Sequence, residues 1–426
     1  MKMIVTVLLG TLALNAMADG PTISDVVVRQ RWPWSRLVDI NYVLTCEESQ
    51  HMDVTLSAYN GETSLTLPYD SLSGDLYNVT EGARHIVWDP LKTAYTNRLI
   101  TQFQVTLTPT NPPVYMVVDL TKTAGTEGQI EYIYPGDSRL VTEGRFTNIW
   151  HGATNFINKT DKMVLRRISA GTFTMGESSG TKSVTLTKDF YIAVFELTQG
   201  QYERVVGVGA SPGAFKIDYK IRPLEQLSYD SFRGATNSVP SINWPSTGHQ
   251  VLSSSFVGRL RTLTGVDSFD LPTDAQWEYA CRAGTTTVFN DGDPSANFSG
   301  VNSYTNEWLN ALGRYKYNGG YVNGATQPDN ATCSTSNGTA AAGSYLPNAW
   351  GLYDMHGNVH EFCLDWYTSA LPGGSDPEGS TSGTERVRRG GGWWNEAYQS
   401  RSAGRLSLLP SSGSLNIGFR LVVVLP

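Results

Sequence analysis

The stretch that decides the reading is residues 350–366: Trp350-Gly351-Leu352-Tyr353-Asp354-Met355-His356-Gly357-Asn358-Val359-His360-Glu361-Phe362-Cys363-Leu364-Asp365-Trp366. It sets aromatics, glycines and the carboxylates Asp354, Glu361 and Asp365 side by side. No helical or strand period runs through it, so the pattern predicts a tight loop with a pinned backbone. Asp354 and Glu361 offer hard carboxylate oxygens, and the Gly357–Val359 turn offers main-chain carbonyls between them. Calcium takes that mixture of ligands from flexible loops. A hydrogen-bonded loop with no ion accounts for the same residues, because the spacing is not that of an EF-hand. His356 and His360 stand four apart and would share a helix face, where they could hold a metal. Gly357-Asn358 between them points to a turn instead.

Working outward, the chain of 426 residues is 40% hydrophobic and 17% charged, the balance of a globular protein with more than one domain. A net charge of −7 argues against nucleic acid, which needs a basic face. Residues 1–18 read as a secretory signal: Lys2, an apolar run from Ile4 to Leu14, then the small-residue cleavage site Ala16-Met17-Ala18. The run is too short to span a bilayer, and no transmembrane segment is expected after cleavage. Secretion or export to a periplasm follows. Cys46, Cys281, Cys333 and Cys363 have no C-x-x-C spacing and are too few for a disulfide scaffold.

Residues 19–120 predict an all-β sandwich of the immunoglobulin or fibronectin-III kind. Met52, Val54, Leu56 and Ala58 alternate with polar residues, and Asn60-Gly61 follows as a tight-turn signal. Phe103, Val105 and Leu107 alternate likewise, and further strands are expected at 25–30, 36–44, 63–67, 84–89 and 114–120. Trp32, Trp34 and Trp88 serve as core or as exposed glycan-stacking residues; Trp88, in an apolar strand, is core. Residues 121–160 read as a connector with a short strand at 129–134. Beyond it, strands are expected at 163–168, 171–176, 184–195, 386–394 and 415–424. Helices are expected at 199–206, at 250–264 and from Thr273, the first and third opened by the capping boxes Thr198–Gln201 and Thr273–Gln276.

Residues 161–426 resemble the formylglycine-generating enzyme, or sulfatase-modifying factor, family. The resemblance lies in Gly171-Thr172-Phe173-Thr174-Met175-Gly176, Phe195-Glu196-Leu197-Thr198-Gln199-Gly200-Gln201-Tyr202, and Leu271 to Gly284. It continues, in family order, through Gly351 to Val359, Arg389-Gly390-Gly391-Gly392-Trp393 and Asn416-Ile417-Gly418-Phe419-Arg420. It implies an α+β, C-type-lectin-like fold with little secondary structure. It implies a calcium ion held by the side chains of Asp354 and Glu361 and the main chain of Gly357 and Val359, and a second site to which Asn297 is matched.

The family reaction oxidises a cysteine in a sulfatase peptide to formylglycine, at copper held by two thiolates; soft ligands of that kind select Cu(I). Here Asn395 stands at the first thiolate position and no cysteine follows Cys363. Gly392 replaces the family serine, and His360-Glu361-Phe362 replaces Trp-Glu-Trp. Copper is therefore not expected, and no catalytic residue is assigned. Relatives with a three-histidine iron site carry a separate helical domain that this chain lacks. Trp393, Trp394, Asn395, Arg405 and Asn416, with Arg401 and Arg420 nearby, would line a groove for an exported peptide, a protein or a glycan; alternatively Arg405 and Arg420 pair with the carboxylates of the calcium loop. The expectation is a secreted, calcium-stabilised binding or structural protein. The alternative is a divergent enzyme that modifies exported proteins such as sulfatases through a different site.

Overall fold

Alternating apolar residues and tight turns build the first part of the chain. The computed structural model describes residues 20–31, 35–47, 50–68, 71–96, 98–140, 156–177, 180–294, 306–318, 321–322, 325–326 and 338–425. The signal segment, Trp32, Trp34, Asn297 and Cys333 lie outside the described residues. Two units divide between Pro113 and Val114.

In the first unit the strands are β1 (Thr22–Gln30), β2 (Val38–Thr45), β3 (Asp53–Asn60), β4 (Thr63–Leu65), β5 (Leu72–Gly74), β6 (Gly82–Trp88) and β7 (Phe103–Thr110). They form one sheet in the order β1-β2-β6-β5 and another in the order β4-β3-β7, with every pairing antiparallel. The Asn60-Gly61 turn joins β3 to β4, with Gly61 at the positive φ of 60° that such turns require. Trp88 is fully buried and stacks on Phe103 at 5.0 Å, the core role its strand position predicts.

The second unit begins earlier than the sequence suggests. Its strands are β8 (Tyr115–Asp119), β9 (Ile130–Ile133), β10 (Lys162–Ile168), β11 (Gly171–Met175), β12 (Lys182–Leu186), β13 (Phe190–Ala193) and β14 (Phe269–Asp270). After these come β15 (Tyr321–Val322), β16 (Ala325–Thr326), β17 (His360–Trp366), β18 (Gly374–Ser375), β19 (Arg386–Arg389), β20 (Leu406–Leu408), β21 (Ile417–Gly418) and β22 (Val422–Val424). The strand expected to finish the sandwich, β8, instead pairs with β10 and β9 in a six-stranded sheet of order β14-β22-β13-β10-β8-β9. The expected connector thus contributes β9. Strand alternation identifies a strand but not its partner, which is why the boundary falls wrong.

The helices are short: α1 (Ile157–Thr160), α2 (Gln199–Val206), α3 (Tyr229–Arg233), α4 (Phe256–Thr264), α5 (Asp274–Arg282) and α6 (Glu307–Leu312). Both expected capping boxes form, Thr198 with Gln201 and Thr273 with Gln276. The helix expected from residue 250 starts only after Ser255, whose hydroxyl accepts the Gly258 N–H.

The opening stretch is half loop and half strand. Residues after Val359 form β17, which lies between β19 and β21 in a sheet of order β20-β19-β17-β21. Every residue of β17 is buried, so both faces are apolar or paired and no period of two is visible. The strand expected at 386–394 stops at Arg389, because Gly390 and Gly391 turn the chain at φ of 88° and 74°. A side chain at Gly391 would collide with Ser400.

Candidate functional site

Asp354 and Asn358 both hold left-handed backbone conformations, φ 59° and 68°. Non-glycine residues stay there only when their surroundings over-determine them. Gly357 between them lies so close to the Arg314 backbone that no Cβ would fit. The pins are side chains. Glu196, just before α2, accepts from Asn358 Nδ2 at 2.7 Å and from the Val359 N–H at 3.0 Å. Asn358 Oδ1 accepts from the Ala340 N–H at 2.8 Å.

Arg420 clamps Glu361 with Nη2 at 2.7 Å and Nε at 2.9 and 3.0 Å. Its remaining hydrogens go to the carbonyls of Ala193, Val194 and Tyr353. Trp277 Nε1 donates to Glu361 at 2.6 Å. Asp354 Oδ2 accepts the Gly343 N–H at 2.5 Å, whereas Oδ1, also buried, has no hydrogen-bond partner. Burial pushes the Asp354 carboxyl up to about 6. Burial, reinforced by the Asp354 and Glu361 charges, pushes Glu196 well above the usual carboxylate range. Lys159 is buried with its ammonium 4.9 Å from the Phe195 ring centre. Burial lowers its proton affinity, and the nearby Asp354 charge partly restores it.

These groups do not fit the expected calcium cage. Glu361 has both oxygens committed to a guanidinium and an indole, so only Asp354 Oδ1 is an open side-chain oxygen. Arg420 and Lys159 also bring two positive charges to the cluster, which repel a dication. Glu361, expected as a ligand, has its oxygens occupied in this structure, and the alternative of Arg420 pairing with the loop carboxylate is formed.

His356 is likewise committed: Nδ1 donates to the Ser400 carbonyl at 2.6 Å and Nε2 accepts the Asn290 N–H at 3.0 Å. Burial lowers its pKa to about 4, so it stays neutral. Two histidines sharing a metal are not formed; the Gly357-Asn358 turn separates them.

The second cluster lies along residues 393–416. Trp393 is buried edge-on to Phe215, and its indole N–H donates to the Leu415 carbonyl at 2.8 Å. Trp394 meets Trp393 edge to face yet stays 55% exposed. Asn395 Oδ1 accepts from Asn416 Nδ2 at 3.0 Å, and Asn395 Nδ2 donates to Gln399 Oε1 at 2.9 Å. The Ser414 hydroxyl donates to Asn416 Oδ1 at 2.9 Å.

Beside Asn395 lies His360, fully buried. Its Nδ1 donates to the Arg389 carbonyl at 3.2 Å, and the ring also meets the Asn395 side chain. Burial, helped by the Arg388 charge, lowers its pKa to about 3, so the ring stays neutral.

Trp393, Trp394, Asn395 and Asn416 are therefore brought together. Arg405 is not among them: it ion-pairs with Asp274 at 2.8 Å, lies over the Tyr367 ring and donates to the Thr368 carbonyl. That corrects both roles expected of it. Glu196, Lys159 and Gln399 were missed as site residues, and His360 was read only as half of a histidine pair. An acid between Phe195 and Leu197, directly ahead of a capping box, is a signal that could have found Glu196.

The thiol pair that copper would need does not fit either. Cys281 and Cys363 are buried in the hydrophobic core, and burial pushes the Cys281 thiol up to about 12 and that of Cys363 well above its usual range. Among the described residues, no cluster of three His, Cys, Asp or Glu groups is arranged to hold a metal.

Comparison with known proteins agrees with the motifs. A family profile described as the sulfatase-modifying factor enzyme 1-like domain matches residues 153–425. The chain is 32% identical to the formylglycine-generating enzyme of Mus musculus over 155 residues, 35% of this chain and 38% of that protein. It is 35% identical to the Streptomyces coelicolor enzyme over 159 residues, 35% of this chain and 45% of that one. It is 31% identical to the chaperone protein LppX of Paenibacillus barcinonensis over 246 residues, 55% of this chain and 79% of that protein. The match thus spans less than half the length of the two enzymes. Among solved structures, PvdO from Pseudomonas aeruginosa aligns with TM-score 0.44 and 24% identity, covering 62% of this chain and 94% of that one. Treponema denticola variable protein 1 aligns with TM-score 0.44 and 22% identity, covering 62% and 96%. With the profile covering most of its length and the motifs in order, the chain belongs to the sulfatase-modifying factor family of formylglycine-generating-enzyme-like proteins.

Proposed function

We propose that this protein is an exported member of its family that binds a ligand rather than oxidising a thiol, on the face formed by Trp394, Asn395 and Asn416 and backed by the buried Trp393. The observation that supports the reading is the Asn395–Asn416 amide pair, 3.0 Å apart, at the position where the family resemblance puts the first copper thiolate. Amides are hard, neutral ligands and do not select Cu(I). The first unit, with two antiparallel sheets, is proposed as an immunoglobulin-like spacer or adhesion module. Export rests on residues 1–18; no helix among the described residues is long and apolar enough to cross a membrane. The loop at Asp354 is proposed to be held by Arg420 and Lys159 in place of calcium.

The test is direct. Purified protein titrated with Cu(I), and incubated with a Cys-x-Pro-x-Arg peptide and oxygen, is expected to take up no stoichiometric copper and form no aldehyde by mass spectrometry. Tight uptake of one copper with conversion of the cysteine overturns the proposal.

A further inference from the structure

Charge bookkeeping around the Trp394 face narrows the ligand. Lys316 pairs with Glu396 at 3.3 Å, Arg401 with Glu177, and Arg405 with Asp274. The ionic groups along this segment already have partners inside the protein. Among the described residues of this segment, what is left at the surface is neutral. Trp394 is 55% exposed and Tyr398 44% exposed. Between and beside them the amides of Asn395, Gln399 and Asn416 are only half-buried. They form one bonded chain, Asn416 to Asn395 to Gln399. Each amide carries two donors and a two-lone-pair acceptor, more than those bonds consume. Behind Asn395 lies the buried His360 ring, in contact with the Asn395 side chain.

Exposed aromatic rings beside a strip of amides match one kind of molecule. A saccharide ring offers apolar C–H faces to an indole and neighbouring hydroxyls that both donate and accept. A basic peptide needs an unpaired carboxylate, and Glu177 and Glu396 are already matched. Resting on the ligand-binding reading above, we infer that the Trp394–Asn395–Asn416 face binds a neutral saccharide, stacked on Trp394 and hydrogen-bonded by the Asn395, Gln399 and Asn416 amides.

The experiment is a binding screen of the full chain by calorimetry against neutral oligosaccharides of glucose, N-acetylglucosamine, mannose and galactose, with an Arg-containing sulfatase-type peptide as comparator. At least one neutral saccharide is expected to bind. Its affinity should be insensitive to salt between about 0.05 and 0.5 M, as uncharged contacts are. Trp394→Ala should weaken it about tenfold or more, the scale of one lost aromatic contact. Asn416→Ala should weaken it as well. Trp394 is exposed, so its variant should keep the wild-type melting temperature; a melting scan checks that the loss is one of binding. Binding of the peptide alone, lost in Trp394→Ala, overturns the saccharide inference and leaves the ligand-binding face standing. No saccharide in the panel binding also overturns it. Binding of either ligand that is indifferent to Trp394 and Asn416 overturns both.

Discussion

Arg389 shows what a single side chain does in this domain. It is fully buried and donates to Asp274 Oδ1 at 2.5 Å, to Glu278 Oε2 at 2.9 Å, and to the carbonyls of Ser402 and Gly404. It therefore ties α5 to β19 and to the loop after the Trp394 segment. Arg389→Met leaves two buried carboxylates short of a partner, and a loss of about 3–5 kcal/mol is expected in urea unfolding. Asp365 is its neighbour in the same network. Burial and the Asp274 charge push its carboxyl up to about 7. One oxygen accepts the Asp274 N–H at 2.8 Å, and the other has no partner. The native state thus holds a proton that the unfolded chain releases near pH 4. This contribution is fully present below pH 4 and is lost as pH rises through 7. Asp365→Asn should flatten the stability profile between pH 4 and 7 and leave the variant at least as stable as wild type at pH 8. A wild-type slope retained in the variant would assign the effect elsewhere. None of this was legible in advance. Sequence shows that Asp365 and Arg389 exist, but burial and pairing across many residues decide their charge states.

At the scale of elements, local chemistry was readable and long-range burial was not. Both capping boxes formed where Thr198–Gln201 and Thr273–Gln276 predict them, because every partner lies within one turn. Gln276→Ala removes the acceptor of the Thr273 N–H at 3.0 Å, and about 1 kcal/mol of stability should go with it. The loop from Gly351 to Val359 was recognised as pinned, with an ion or an arginine expected as the pin. Glu361 finds its counter-charge in Arg420, which is 59 residues away, a pairing no spacing rule reveals. The expected outcome follows: adding millimolar calcium or a chelator should leave the melting temperature unchanged. A bound ion at a hundredfold over its Kd would add about 2.7 kcal/mol and raise the melting point by several degrees. A shift of that size reverses the reading of the loop. β17 escaped notice for the opposite reason to the capping boxes: its strand character is set wholly by neighbours on both sides.

For the whole molecule, the division at Pro113 has a consequence for truncation. β8 is an inner strand between β10 and β9, in register from Tyr115↔Arg166 to Asp119↔Lys162. A truncated chain starting at Val114 keeps that strand; one starting at Thr121 exposes the edge of β10 and strips β9 of its partner. The first should give a cooperative melt and native near-ultraviolet circular dichroism, the second neither. Equal behaviour of the two would show β8 to be dispensable. The mixed, helix-poor fold of the second unit was legible from ordered motifs, as was the β character of the first. The hand-over between them was not. Tyr115-Met116-Val117-Val118 looks like any other strand until its partner is known.

One feature bears on how the chain is made. Arg420, which reaches back to Ala193, Val194, Tyr353 and Glu361, lies just ahead of β22, itself an inner strand between β14 and β13. Synthesis runs from the amino end, so the nascent domain waits, with Glu361 uncompensated and a gap in its largest sheet, until this late segment has left the ribosome. A chain stalled before Arg420 presents an open, sticky sheet to chaperones and proteases.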